Sequence, residues 1–175
     1  VRLAQYLGFD GWEPLKEVFV QSFRQTPKLY TMQAKKVVRS KNPRTMVGKT
    51  LASQARNLAL LDELNGERLP GAVDLLLKAR RVHVAGFRSC FAPAFAFHYL
   101  YRLFRPSVLM LRGDAGTLEM EVRALEAADT VVVISFAPYS QEALQVAQAA
   151  HKAGCKLLAI CDSVLAPIAH EADGV

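Results

Sequence analysis

Val82-His-Val-Ala-Gly-Phe-Arg-Ser89 is the stretch on which the reading of this chain turns. Val82 to Ala85 is a short apolar run of the kind that forms a buried strand, Gly86 frees the backbone, and Ser89 stands where the next helix begins. The apolar run Phe91 to Phe104 predicts that helix, with Arg88, Ser89 and Cys90 at its N-terminus. Unpaired backbone N–H groups and the positive end of the helix dipole favour an anion at such a turn. Ser89 by itself leaves two readings open, a helix cap or a phosphate ligand.

A second turn of the same kind follows. Thr130 to Ile134 is a continuous β-branched run suited to a strand covered on both faces. It leads into Ser135-Phe-Ala-Pro-Tyr-Ser140-Gln-Glu142, after which Ala143, Val146, Ala147 and Ala150 keep helical spacing. In an open parallel sheet such turns gather at the carboxyl ends of the strands, where ligands bind. Ser89, Ser135 and Ser140 are therefore expected to converge on one phosphate.

Gly86-Phe-Arg-Ser89, Ser135 to Glu142 and Cys161-Asp-Ser-Val-Leu-Ala-Pro167 together resemble the sugar isomerase (SIS) domain of RpiR-type bacterial transcription regulators, from about Leu51 to Val175. The resemblance implies a phosphosugar-sensing domain, with Gly86, Arg88, Ser89, Ser135 and Ser140 as ligand residues and no cofactor. Arg88 reads equally as a surface residue or a subunit contact. Enzymes of the wider family often carry Ser-x-Ser-Gly-x-Thr at the second turn. Here Ala137 replaces the middle serine, Pro138-Tyr139 replaces the following pair, and Ser140 stands for the threonine. The Pro-Tyr version occurs in the regulator branch, which favours sensing over catalysis.

The N-terminal stretch Arg2-Leu-Ala-Gln-Tyr-Leu-Gly-Phe9 resembles the close of the recognition helix in the helix-turn-helix domain of the same regulators. By that resemblance, Arg2 and Gln5 are candidate DNA contacts, and the earlier helices of the DNA-binding domain lie outside these 175 residues. The alternative is that both are solvent-facing residues on the helix tail. From the residues themselves, a short helix ends at Gly8, and a second carries Leu15, Val18, Phe19 and Phe23 on one face.

Charge divides the chain in the same place. The net charge is +6, yet residues 1–50 hold ten Lys or Arg against three Asp or Glu, and residues 51–175 hold twelve against thirteen. The surplus lies wholly in the first segment, which makes it the candidate for a polyanion such as DNA. Between Gln25 and Lys49 the apolar pattern weakens and basic residues cluster, so this stretch reads as a linker or connecting helix. The expected organisation is 1–25 for the end of the helix-turn-helix domain, 26–50 for a basic linker and 51–175 for the SIS domain.

Strands near Val82, at Val108 to Leu111, Thr130 to Ile134 and Lys156 to Ile160 alternate with helices from Phe91, at Thr117 to Ala128 and at Gln141 to Ala153. This pattern predicts an α/β fold, a doubly wound parallel sheet flanked by helices, with a fifth strand starting near Asp173.

Cys90, Cys155 and Cys161 have neither Cys-x-x-Cys spacing nor a clustered histidine, so no metal site or disulfide framework is expected and a reducing cytoplasm fits. No apolar run is long enough for a membrane span. An isomerase would need a general base near the turns, and Glu142 and His98 are the candidates. Glu119 and Glu121 read as solvated. The leading expectation is a non-enzymatic regulator, a homodimer or higher homo-oligomer that binds a DNA operator and responds to a sugar phosphate. The alternatives are an aldose-ketose isomerase with a basic extension and a plain dimerisation module.

Overall fold

Four runs of aliphatic and β-branched residues form the strands β1 (Val82–Gly86), β2 (Val108–Leu111), β3 (Thr130–Ser135) and β4 (Lys156–Cys161) of one parallel sheet, in the order β2-β1-β3-β4. The structure is a computed structural model that describes residues 2–24, 31, 32, 34, 35 and 43–175, without the side chains of residues 2, 20–24, 43 and 62. Its helices are α1 (Arg2–Tyr6), α2 (Trp12–Arg24), α3 (Pro43–Asn65), α4 (Leu69–Lys78), α5 (Phe91–Arg102), α6 (Leu118–Arg123) and α7 (Gln141–Lys152). The chain falls into two compact units, Val1–Leu60 and Leu61–Val175.

In the second unit every residue of β1 and β3 is buried, as continuous apolar strands in the middle of a parallel sheet must be. Side chains alternate between two cores. Val82, Val84, Val108, Val132 and Leu158 pack with Cys90 and Ala94 on one face. Ala85, Val131, Val133, Leu157 and Ala159 pack with Leu118, Val146 and Ala150 on the other. Helices thus cover both faces, and the expected doubly wound α/β architecture is the one observed. Beyond β4, Gly174 makes a parallel bridge to Leu158, and its carbonyl accepts the Ala159 N–H at 2.8 Å, at the place expected for a fifth strand.

The N-terminal ends of β1 and β3 carry an ion cluster. The Asp129 carboxylate is fully buried and accepts bonds from Arg81 Nε and Nη2, at 3.1 and 2.8 Å, and from the Glu126 N–H at 3.1 Å. His83 Nε2 lies 3.2 Å from the same carboxylate. This cluster explains a difference in length: helical pattern runs from Thr117 to Ala128, but α6 stops at Arg123. The Ala124 carbonyl accepts from Arg81, and the Glu126 N–H and C=O both bond to Asp129, so one distant partner and one local turn take the groups another helical turn would use.

In the first unit α1 closes in a Schellman motif. Gly8 has φ +83°, its N–H bonds to the Gln5 carbonyl, and the Phe9 N–H bonds to that of Ala4. Of the face expected on α2, Leu15 is buried while Val18 and Phe19 are more than half exposed; the side chain of Phe23 lies outside the described residues. Pro43 stands at the start of α3, where proline gives up only an N–H that has no partner there. Residues 43–50 of the basic stretch are accordingly helical.

Candidate functional site

Gly86 ends β1 where nothing larger fits. A Cβ built there lies 2.5 Å from both the Cys90 carbonyl oxygen and Ala94 Cβ, so its absence lets the turn fold back against the sheet. After extended Phe87 the backbone at Arg88 takes φ +56°, a left-handed conformation that costs a non-glycine residue about 1 kcal/mol or more. Arg88–Cys90 form one 3₁₀ turn that runs directly into α5. Ser89 and Arg88 are exposed, and Cys90 is buried beneath them.

The turn after β3 lies beside it, since Gly86 pairs with Ile134 in the sheet. Two further contacts join the turns. The Phe136 N–H donates to Cys90 Sγ at 3.3 Å, and Arg88 Nη2 lies 3.8 Å from Glu142 Oε2. Ser135 and Ser140 are both buried. Ser140 caps α7: its Oγ accepts the Ala143 N–H at 3.1 Å, which leaves its O–H to donate elsewhere. Among the described residues the hydroxyls of Ser89 and Ser135 have no hydrogen-bond partner.

Asp162, one residue past β4, holds the middle of this second turn. Its Oδ2 accepts the Ala137 N–H at 3.1 Å and its Oδ1 the Tyr139 O–H at 2.9 Å. Burial and the neighbouring carboxylate push the Tyr139 phenol up to about 12. Asp162 belongs to the Cys161 to Pro167 motif, where sequence alone assigns it no role. The signal for it was position, an acid directly after an apolar strand at the ligand-binding edge of the sheet.

Glu121 is a correction. It is not solvated on α6; its carboxylate accepts from the backbone N–H groups of Arg112 and Gly113 and from Thr117 Oγ1, at 2.7 to 3.2 Å. Those bonds hold it charged, with its pKa below the usual carboxylate range despite burial. They tie down the loop after β2, where Gly113 and Ala115 have positive φ and the N–H groups need an acceptor.

The structure therefore brings Gly86, Arg88, Ser89, Ser135 and Ser140 to one edge of the sheet, with Glu142 and Asp162 beside them. Gln5 is exposed on α1 in the other unit, and the Arg2 side chain lies outside the described residues. His98 sits about 10 Å along α5 from its start, its ring 6.2 Å from that of Phe95. Burial and the Arg102 cation lower its pKa, and Nδ1 is shielded without a partner among the described residues. Of the two candidate bases only Glu142 is at the turns. Among the described residues no group of three His, Cys, Asp or Glu could hold a metal ion, and no helix is long and apolar enough to cross a membrane.

Solved structures share this fold. The solved sugar isomerase domain of an RpiR transcription factor from Sphaerobacter thermophilus shares 24% identity at a TM-score of 0.61, with 72% of this chain and 73% of that one covered. A Listeria monocytogenes protein provisionally assigned as a sugar-phosphate isomerase shares 16% at 0.61, with 78% and 73% covered. The Vibrio vulnificus NanR protein, solved in complex with ManNAc-6P, shares 15% at 0.63, with 99% and 59% covered. At these identities the likeness is one of fold. No curated protein sequence matches the chain significantly. The family model described as SIS domain matches residues 75–175, more than half the chain and the whole of the sheet with both serine turns, and the chain belongs to the SIS domain family.

Proposed function

We propose that this chain is the effector-sensing part of an RpiR-type transcription regulator, with a SIS domain that binds a phosphorylated sugar and does not turn it over. The observation that carries the reading is the junction of the two strand-to-helix turns. Phe136 on Cys90 and Arg88 against Glu142 bring Ser89 and Ser135, whose hydroxyls have no partner among the described residues, to the edge where the N-terminus of α7 and the Ser140 hydroxyl also lie. Hydroxyl and N–H donors with a helix dipole suit a phosphate, each charge-assisted bond contributing about 1.5 to 3 kcal/mol. The S. thermophilus protein is a transcription factor by name, which supports the regulator reading, and the V. vulnificus protein was solved with the sugar phosphate ManNAc-6P, which supports the ligand class.

In this reading the basic first segment, with Arg2 and Gln5, belongs to the DNA-binding side, and two copies of the SIS domain set the spacing of two DNA-binding modules on an operator in the cytoplasm. A sugar phosphate that binds one dimer geometry better shifts the population toward it.

The test is a thermal-shift panel of sugar phosphates against the matching unphosphorylated sugars, with Ser135→Ala and Ser140→Ala as controls. Stabilisation by a phosphosugar that both variants abolish supports the reading. The competing reading, an isomerase, rests on Glu142 as the base at the turns; measurable aldose-ketose turnover of the bound phosphosugar would establish it instead.

A further inference from the structure

Glu142 carries an unusual oxygen. Its side chain is partly exposed, yet Oε2 is shielded from solvent and has no hydrogen-bond partner among the described residues. The nearest cation, Arg88 Nη2, stands at 3.8 Å, beyond hydrogen-bond distance. A shielded charged acceptor left without a donor is costly, and such groups are rare in folded proteins unless a ligand completes them. The oxygen lies in the first turn of α7, two residues after the capping Ser140, and faces across to the strained Arg88 of the other turn. It is therefore an unsatisfied acceptor among donors, beside an Asp162 carboxylate already held by Ala137 and Tyr139.

The two kinds of group make opposite demands. Serine hydroxyls, backbone N–H groups and Arg88 ask for an anion, whereas a carboxylate beside them repels one. A bare phosphate satisfies the first set and is opposed by Glu142. A phosphate ester that also carries a hydroxyl or amide N–H satisfies both, because its donor completes Oε2 while its phosphate takes the serines.

We propose that Glu142 is a specificity-determining residue of this site, accepting a hydroxyl or amide donor from the sugar moiety and discriminating against inorganic phosphate through its charge. The inference rests on the phosphosugar reading given above and deepens it.

The experiment is calorimetric titration of the full chain, wild type, Glu142→Gln, Arg88→Gln and Ser135→Ala, with inorganic phosphate and with a panel of pentose, hexose and N-acetylhexosamine phosphates. Glu142→Gln is isosteric and removes the charge, so it is expected to weaken the best sugar phosphate at least about tenfold while tightening inorganic phosphate several-fold. A purely structural role would move both ligands in the same direction. Arg88→Gln is expected to weaken both and keep their ratio. If wild type binds a sugar phosphate and Ser135→Ala abolishes it, but Glu142→Gln leaves the ratio of the two affinities unchanged, the role of Glu142 is overturned and the phosphosugar site stands. If wild type binds none of the panel, the phosphosugar reading falls and this inference with it. Thermal midpoints without ligand confirm that the variants are folded.

Discussion

The carboxylate of Asp162 receives the phenol of Tyr139 at 2.9 Å and the backbone N–H of Ala137 at 3.1 Å, so an acid at the end of β4 holds the loop that links Ser135 to Ser140. Removing either partner leaves the loop's ends anchored, by β3 and by the Ser140 cap, and its middle free. Asp162→Ala is expected to cost about 1 to 3 kcal/mol of stability and to weaken phosphosugar binding more than Tyr139→Phe does, because it also orphans the Ala137 N–H. Chemical denaturation and ligand titration of the two variants check the order. The phenol adds a pH signature. A folded pKa raised to about 12 contributes stability that is present below pH 10 and lost as pH rises toward 12. Ultraviolet titration of the folded protein should show one tyrosine ionising near 12, absent from Tyr139→Phe; if the tyrosine lost in the variant instead ionises near 10, the Asp162 clamp is removed from the account.

Gly86→Ala is the most local test of the first turn. The new methyl would stand 2.5 Å from a backbone oxygen and from Ala94 Cβ, neither of which is the flexible end of a side chain, so the 3₁₀ turn and the start of α5 must move. A loss of about 1 to 3 kcal/mol is expected, as for overpacking generally, together with loss of ligand binding. Full stability and full binding in the variant would show that this approach is not needed.

These residues also show what could be read without coordinates. Strand identity was legible because β1, β3 and β4 are covered on both faces and so carry almost unbroken aliphatic runs, which few other elements tolerate. The pairing of the serine turns followed, because parallel strands put their carboxyl ends on one side. The length of α6 was not legible: residues 124–128 are compatible with helix, and only the spatial neighbour Arg81, more than forty residues earlier, draws the Ala124 carbonyl away. Glu121 and Asp162 escaped for the same reason, since a carboxylate that bonds backbone N–H groups looks in sequence like any surface acid.

The cluster at the amino ends of the strands sets the acid limit of the fold. His83 is buried and its pKa lowered, by burial first and by Arg81 and Arg80 next, against the pull of Asp129. The unfolded chain therefore takes up a proton more readily than the folded one below pH 6.5, and stability falls as pH drops through that range; His98 acts in the same direction. Asp129 is held at about 2, opposed by burial but lowered by the Arg81 bonds and the Glu126 N–H, so its contribution is present above pH 4 and lost from there down toward 2. Denaturation midpoints should therefore fall in two stages on acidification. His83→Gln is expected to reduce the first stage, with His98 supplying the remainder, while Asp129→Asn reduces the second, with Glu121 and Asp173 supplying the remainder, and costs about 1 to 3 kcal/mol at pH 7 by leaving Arg81 only Glu126 as a charged partner. A flat profile from pH 7 to 5 in wild type would contradict the assignment.

The SIS unit also exposes apolar side chains away from the serine turns. Val73, Leu76 and Leu77 of α4 and Phe97, Leu100, Tyr101 and Phe104 at α5 line an open apolar groove of about 340 Å³. Val73, Leu77, Leu100 and Phe104, with Leu69 one turn before and Leu103 alongside, are each about half to three-quarters exposed. Side chains of this size present roughly 700 Å² of apolar surface in that state, close to the roughly 800 Å² that each partner buries in a standard interface. If the dimer of the proposed mechanism forms through this face, a second copy of the chain related by a two-fold axis covers it with the same face. Leu77→Asp with Phe104→Asp would place charges where the apolar seam closes and is expected to raise the dimer dissociation constant at least a hundredfold in sedimentation equilibrium, with the thermal response to ligand preserved wherever the turns do not depend on the partner. A pair of substitutions that leaves the protein dimeric would move the interface to another face; a wild type that is monomeric at all concentrations would remove the dimer from the proposed mechanism and leave the serine turns as a stand-alone receptor.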